Sequence, residues 1–326
     1  MEGEMVKREG IAFETIPAAG LHGINLRNLP GNLLRLFRGY IRSVRILRSF
    51  KPDLLFFTGG YVAVPMAFAG IKIPSLLYVP DIEPGLALQA IARFADAIAV
   101  TTANSATFFS RARQVKVTGY PTRSGLNRWD RAKGREFFGI QKNSQVLLVF
   151  GGSKGAHSIN QALASILPSL PGSVEVIHIS GPADHAELQG IQASFPVELQ
   201  NRYHLLPYLH EMGAALAAAD LVVSRGGASV LGEYPLFGLP SILVPYPYAW
   251  RYQKTNADYL VSHGAAIIIE NSTLSTDLLP VVTSLISDPQ RLSSMRQAAS
   301  ALAHPQAARE IADFAFAVAS AGRRTG

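Results

Sequence analysis

The sequence has no cysteine, which excludes disulfides, thiolate metal sites and cysteine nucleophiles and fits a reducing compartment. Its eight histidines never fall at an HxxxH or similar ligand spacing, so no metal site is expected. No uninterrupted apolar run reaches the roughly 18 to 20 residues that cross a bilayer, and Met1 is followed by acidic, polar residues rather than a signal peptide. A cytoplasmic protein is expected. Charge is sparse, 16% against 48% hydrophobic over 326 residues, enough for a sizeable core and, by length, for two domains. Acidic residues are missing between Glu14 and Asp53, where Arg27, Arg35, Arg38, Arg42, Arg45, Arg48 and Lys51 all fall. Much of the net charge of +7 is therefore gathered in one segment.

Spacing predicts a helix from about Asn32 to Phe50, with Leu33, Leu34, Phe37, Ile41, Val44 and Leu47 on one face and Arg35, Arg38, Arg42 and Arg45 on another. Arg48 falls nearer the apolar side, where it can complement the helix C-terminus. Such a helix either packs its apolar stripe on a sheet with solvated arginines, or offers a face to an anionic membrane, and the two are compatible. It lacks the aromatic interleaving of a nucleic-acid surface.

Short apolar runs alternate with helical spacing: IAFETIP (11–17), DLLFFT (53–58), PSLLYV (74–79), AIAVTT (97–102) and VKVTG (115–119). After a polar, basic stretch at 123–144 the pattern restarts with QVLLVF, SVEVIHIS, YHLLPY, ADLVVS and PSILVPY, and the Ala-rich tail from about Leu292 to Ala321 reads as helices. The alternation predicts two doubly wound parallel α/β domains, 1–130 and 131–326, with ligands in a cleft at the carboxyl ends of the strands.

Three stretches at strand ends carry the chemistry. In LVFGGSKGAHSINQAL (148–163) a strand stops at Gly151 and Gly152, runs through Ser153 and Gly155, and becomes helical, which presents backbone N–H groups to a phosphate. A tight turn made for packing explains the same glycines. In SRGGASVLGE (224–233), Gly226 and Gly227 form a turn, Ala228 or Ser229 begins a helix, and Glu233 can accept hydrogen bonds from two neighbouring sugar hydroxyls or act as a helix-dipole partner. In RYQKTNADYL (251–260), Gln253 and Asn256 share a helical face and suit sugar hydroxyls, or cap neighbouring loops.

Together, GGSKGAHSIN, SRGGASVLGE, GLPSILVPYP and QKTNADYL resemble the nucleotide-sugar half of the MurG family of bacterial peptidoglycan N-acetylglucosaminyltransferases, glycosyltransferase family 28. KPDLLFFTGGYVAVPMAFAG and VTGYPTR are similar to the acceptor-side motifs, and the likeness runs along nearly the whole chain in order. It implies a GT-B fold of two Rossmann-like domains, UDP-N-acetylglucosamine bound mainly by the second, a lipid-linked acceptor at the inner membrane face, and no cofactor. Carried over by residue, Gly151, Gly152, Ser153 and Gly155 would face the diphosphate, and Asn160 matches the asparagine closing that motif. Glu233 matches the ribose glutamate, Gln253 and Asn256 the donor-sugar amides, and Leu209 the apolar residue against uracil. Arg225, Gly226, Gly227 and Ala228 form the second binding turn, with Arg225 also readable as structural, and Tyr61 matches an acceptor-side tyrosine. The mechanism implied is displacement at the anomeric carbon with inversion, the diphosphate held by backbone N–H groups and helix ends.

Two departures qualify the resemblance. Set against the resemblance, the chain starts after the family's opening strand, histidine-containing glycine loop, helix and second strand, so a truncated start and an inactive or poorly stable chain are expected. LLYVPDIEPG (76–85) stands where peptidoglycan-building members carry His-Glu-Gln-Asn, which places Asp81 as a candidate to orient or deprotonate an acceptor hydroxyl, or simply to cap the next helix. A different glycolipid acceptor and a non-catalytic nucleotide-sugar-binding role are the alternatives. A UDP-sugar epimerase fits less well.

Overall fold

The computed structural model describes all residues except 1–2, 4–5, 8–9, 20–28, 111, 153–154, 248–251 and 324–326. Backbone contacts divide the chain into one compact unit of 1–79, 84–117 and 311–326 and another of 80–83 and 118–310.

In the first unit four strands, β1 (Leu55–Phe57), β2 (Ser75–Val79), β3 (Ala97–Val100) and β4 (Val115–Val117), form a parallel sheet in the order β1-β2-β3-β4. Every residue of β2 and β3 is buried, the continuous apolar character expected of a parallel sheet covered on both faces. One face is packed with Leu77, Val79, Ile98, Val100 and Ile91, and the other is closed by Ile311, Phe314 and Val318 from the final helix.

The helix expected over 32–50 is present as α1 (Leu29–Phe50), ended by Lys51 in a left-handed conformation (φ 50°) ahead of Pro52. Only the C-terminal part of the predicted stripe faces inward, where Val44 and Leu47 are half-buried and Leu47 packs on the first unit's core. Gly39 and Ser43 are the buried residues, and a Cβ on Gly39 would lie 2.2 Å from the Pro17 carbonyl. Small residues let the chain approach there, which leaves Leu33, Leu34, Phe37, Tyr40 and Ile41 exposed. Residues 11–17, expected as a buried strand, belong to no strand or helix and are largely exposed, and Arg27 lies outside the described residues.

In the second unit six parallel strands run in the order β10-β9-β8-β5-β6-β7. They are β5 (Gln145–Phe150), β6 (Val174–Ile179), β7 (Tyr203–Leu206), β8 (Leu221–Ser224), β9 (Ser241–Leu243) and β10 (Ala266–Ile268). All but β10 were expected; its three residues are too short to stand out from the helical spacing around them. β5 pairs with β6 on one side and β8 on the other, so the chain reverses direction across the sheet there, and open α/β sheets bind ligands outside the strand carboxyl ends at such a point.

The unit boundary differs from the expected 130/131. Residues 118–130 pack inward on the second unit: Tyr120 lies over Gly232, and Trp129 and Leu126 over Gly213, where a Cβ would approach within 2.7 and 2.5 Å respectively. The tail from Ile311 returns to the first unit because its apolar residues cover Leu76, Tyr78, Ala97 and Ala99.

Candidate functional site

The glycine loop at the end of β5 is built as a tight turn. Gly152 (φ 92°) and Gly155 (φ 77°) are left-handed, Gly155 N–H donates to Gly152 O at 3.0 Å, and a Cβ on Gly155 would sit 2.3 Å from Ser180 O. The chain then enters α2 (His157–Ile166), which no side chain caps and whose first turn holds no acid. That end is open to an anion. Ser153 lies outside the described residues.

Asn160 faces inward. It is fully buried, donates to Ser180 O (2.8 Å) and Asp184 Oδ2 (2.7 Å), and accepts at Oδ1 from His178 Nε2 (2.9 Å). With that nitrogen protonated, His178 accepts at Nδ1 from Tyr203 OH, 2.7 Å away, and burial lowers the histidine pKa to about 3, so the ring stays neutral. This network fixes the Ser180 carbonyl that Gly155 approaches. Asn160 therefore shapes the loop instead of touching a ligand.

β8 ends at Ser224, and Gly226, Gly227 and a turn of 3₁₀ helix (Ala228–Leu231) lead to α3 (Glu233–Phe237). Glu233 thus begins its helix rather than lying one turn inside it. Its carboxylate is 9% exposed and accepts from Arg123 Nη2 at 3.2 Å. Burial raises its pKa from the usual carboxylate value, and the Arg123 guanidinium pulls it back down. Gly226 is pressed against the Gln253 carbonyl, 2.4 Å from its notional Cβ, whereas the space around Gly227 is open. Arg225 is structural: it donates to Val244 O (3.0 Å), Asn271 Oδ1 (2.9 Å) and Ser158 Oγ (2.8 Å), tying the ends of β8 and β9 to α2.

Glu233 and Ser229 line a cavity of about 340 Å³ with Gly152, Gly181, Phe150, Ile179, Tyr208, Leu209, Met212, Tyr120 and Arg123. It joins the carboxyl ends of β5, β6 and β8. Leu209 stands there half-buried. Arg123 and Tyr120 also line it, although the sequence reading had them only within VTGYPTR, as an acceptor-side motif, and singled out neither. The residue that gives Arg123 its meaning, Glu233, is 110 positions away.

The two amides of α4 (Tyr252–Ser262) do not stand as a pair facing a sugar. Asn256 is fully buried, accepting from Ile82 N (3.0 Å) and donating to Asp81 Oδ1 (2.8 Å) and Gly226 O (3.1 Å). Gln253 accepts from Tyr246 N at 2.9 Å. Asp81 is half-buried, and burial raises its pKa while the Asn256 bond opposes the rise. Burial raises the Tyr120 pKa, and the charges of Glu233 and Asp81 raise it further. Tyr61 stands exposed in the first unit, in the left-handed Gly59-Gly60 turn after β1. Among the described residues no cluster of histidines and carboxylates suits a metal, and no helix is long and apolar enough to cross a membrane.

Residues 1–100 match the glycosyltransferase family 28 N-terminal domain and residues 146–311 its C-terminal domain. The UDP-N-acetylglucosamine–N-acetylmuramyl-(pentapeptide) pyrophosphoryl-undecaprenol N-acetylglucosamine transferase of Roseiflexus sp. (strain RS-1) is 39% identical, covering 96% of this chain and 80% of its own. The enzyme of that name from Desulforudis audaxviator is 38% identical over 99% of this chain and 89% of its own. In three dimensions the chain is similar to the crystal structure of Acinetobacter baumannii MurG, with a TM-score of 0.76, 25% identity, and coverage of 97% of this chain and 88% of that one.

Proposed function

The chain belongs to glycosyltransferase family 28, and from that membership we propose that it moves N-acetylglucosamine from UDP-N-acetylglucosamine to a lipid-linked N-acetylmuramyl-pentapeptide, the reaction named for its relatives. It is a GT-B hexosyltransferase of the MurG type.

The observation that carries the reading at residue level is the buried Glu233 carboxylate at the wall of the β5–β6–β8 cavity. Its two oxygens suit the vicinal hydroxyls of a ribose, while Phe150, Ile179, Leu209 and Met212 offer an apolar wall to a base. The Gly151–Gly155 loop and the uncapped start of α2 face the diphosphate, and Arg123, paired with Glu233, adds a positive charge beside it. An acceptor hydroxyl attacks the anomeric carbon, the bond to UDP breaks, and backbone dipoles and Arg123 stabilise the departing diphosphate. Asp81, oriented by Asn256, takes the hydroxyl proton. Calorimetry tests the site: Glu233→Gln should weaken UDP binding about ten- to hundredfold, because it removes the charge and replaces one of the two acceptor oxygens by a donor. UDP affinity unchanged by that substitution would refute the site.

The membrane surface is read from α1. Leu33, Leu34, Phe37, Tyr40 and Ile41 stay exposed beside the Arg35, Arg38, Arg42, Arg45 and Arg48 row, which is the composition of a helix lying in an anionic interface. Each basic residue near such a surface contributes about 1 kcal/mol, and the lipid-linked acceptor resides there.

A further inference from the structure

A cluster at the other end of the second sheet plays no part in this chemistry. Asp220, just ahead of β8, accepts from Arg131 Nη1 (2.5 Å), Arg135 Nη2 (2.8 Å) and Val146 N (2.9 Å), with Arg296 Nη2 at 3.5 Å. Three guanidinium groups thus share one carboxylate, leaving two positive charges uncompensated. Arg135 is sealed in, with 3% of its side chain exposed and its Nε without a hydrogen-bond partner. Arg131 and Arg296 keep 48% and 38% of their side chains in solvent. Burial lowers the pKa of Arg135 and Arg296, and repulsion from Arg131 adds to it in both.

Arg131, Arg296 and Asp220, but not the sealed Arg135, border a cavity of about 400 Å³ with Lys142, Ser144 and Ser293, and Asp220 is its one lining carboxylate among the described residues. The amino end of α5 (Pro289–Ala301) also lines it. A water takes about 30 Å³ of liquid, so a phosphate group fits with part of its hydration shell. Crowded arginines around a single acid are costly by themselves, because Asp220 cannot neutralise them all. Planar guanidinium forks match phosphate oxygens, and hydroxyl and ammonium donors complete the shell.

We propose that this cavity is a second anion site, taking a phosphate dianion, either free or as a soluble phosphomonoester, between Arg131, Arg296 and Lys142, with Asp220 and Arg135 holding the arginines in place. The site is separate from the UDP cavity, which lies at the opposite ends of the same strands.

The full chain, saturated with UDP so that the first anion site is filled, is titrated with inorganic phosphate and with glycerol phosphate against sodium chloride of equal ionic strength. Melting temperature and calorimetry are the readouts. A saturable rise with phosphate and none with chloride is expected, and a matching rise with glycerol phosphate assigns the site to monoesters as well as to the free ion. In Arg131→Gln/Arg296→Gln, phosphate should bind at least about tenfold more weakly per arginine lost, with UDP affinity unchanged. Lys142→Gln, an exposed position, serves as the milder variant should the double substitution unfold the chain, and it should weaken phosphate binding in the same direction. Equal response to chloride, or phosphate binding unaltered in the variants, overturns the proposal.

Discussion

Glu233 and Arg123 act as a pair, since each is the other's hydrogen-bond partner and the carboxylate is the buried member. Neutralising Arg123 should therefore weaken UDP binding and also leave the Glu233 charge uncompensated. Asp81 behaves differently. Its pKa is raised by burial, so its charged form is the disfavoured one in the fold, and its contribution to stability is present at low pH and lost as pH rises through the folded value. Asp81→Asn should consequently hold or raise the melting temperature at neutral pH while kcat falls by about 10²–10⁴-fold, the usual worth of a general base. Wild-type activity should fall as pH drops through that raised value, and the variant should lose this acid limb. A pH–rate profile and a thermal melt check both; unchanged kcat in the variant would remove Asp81 from the reaction. The sequence placed Glu233 and the glycines at strand ends by residue type, and that placement is seen in the fold. For the amides it left two readings open, and burial favours the second: Asn256 caps neighbouring loops and binds Asp81, and Asn160 likewise turns inward, to His178.

At the scale of elements, the β5–α2 loop depends on backbone that only glycine adopts without strain. Gly155→Ala would force a Cβ within 2.3 Å of Ser180 O at φ 77°, so a loss of about 1–3 kcal/mol is expected from strain, together with weaker UDP binding. Denaturant melts and calorimetry give the two readings, and an unperturbed loop would show neither. α1 was legible as a helix, but its orientation only in part, since Val44 and Leu47 of the apolar stripe turn inward while Leu33, Leu34, Phe37 and Ile41 do not. Periodicity marks an apolar stripe, whereas which side faces the protein was decided by how closely the backbone approaches at Gly39, a feature carried by two small residues. Phe37, at 60% exposure, gives the test. Phe37→Glu should leave stability within about 0.5 kcal/mol, as exposed substitutions do, while reducing co-sedimentation with anionic vesicles. The loss should be smaller on zwitterionic vesicles and in high salt, where the arginine contribution is already screened.

Across the whole molecule, the parallel sheets were legible because their strands are continuous apolar runs, and the order of elements predicted doubly wound units. The course of the chain at the end was not. α6 (Ala307–Arg323) carries Ile311, Phe314 and Val318, which close the first unit's sheet although the preceding 190 or so residues belong to the second. An Ala-rich helix with one apolar stripe fits either sheet, and no local signal says which. The assignment has a thermodynamic consequence. Phe314 is 5% exposed against Leu76, Tyr78 and Ala99, so Phe314→Ala should cost about 3–5 kcal/mol through lost transfer energy and an unfilled cavity. That loss should fall on the first unit alone. UDP gives a way to see it, because a ligand held by the second unit raises that unit's stability by about 2.7 kcal/mol at a hundredfold excess over Kd. Calorimetric melts with and without UDP should then resolve a UDP-sensitive transition that the substitution leaves in place and an insensitive one that it lowers. A single transition shifted as a whole by both would show that the two sheets unfold together, and the final helix would be the element coupling them.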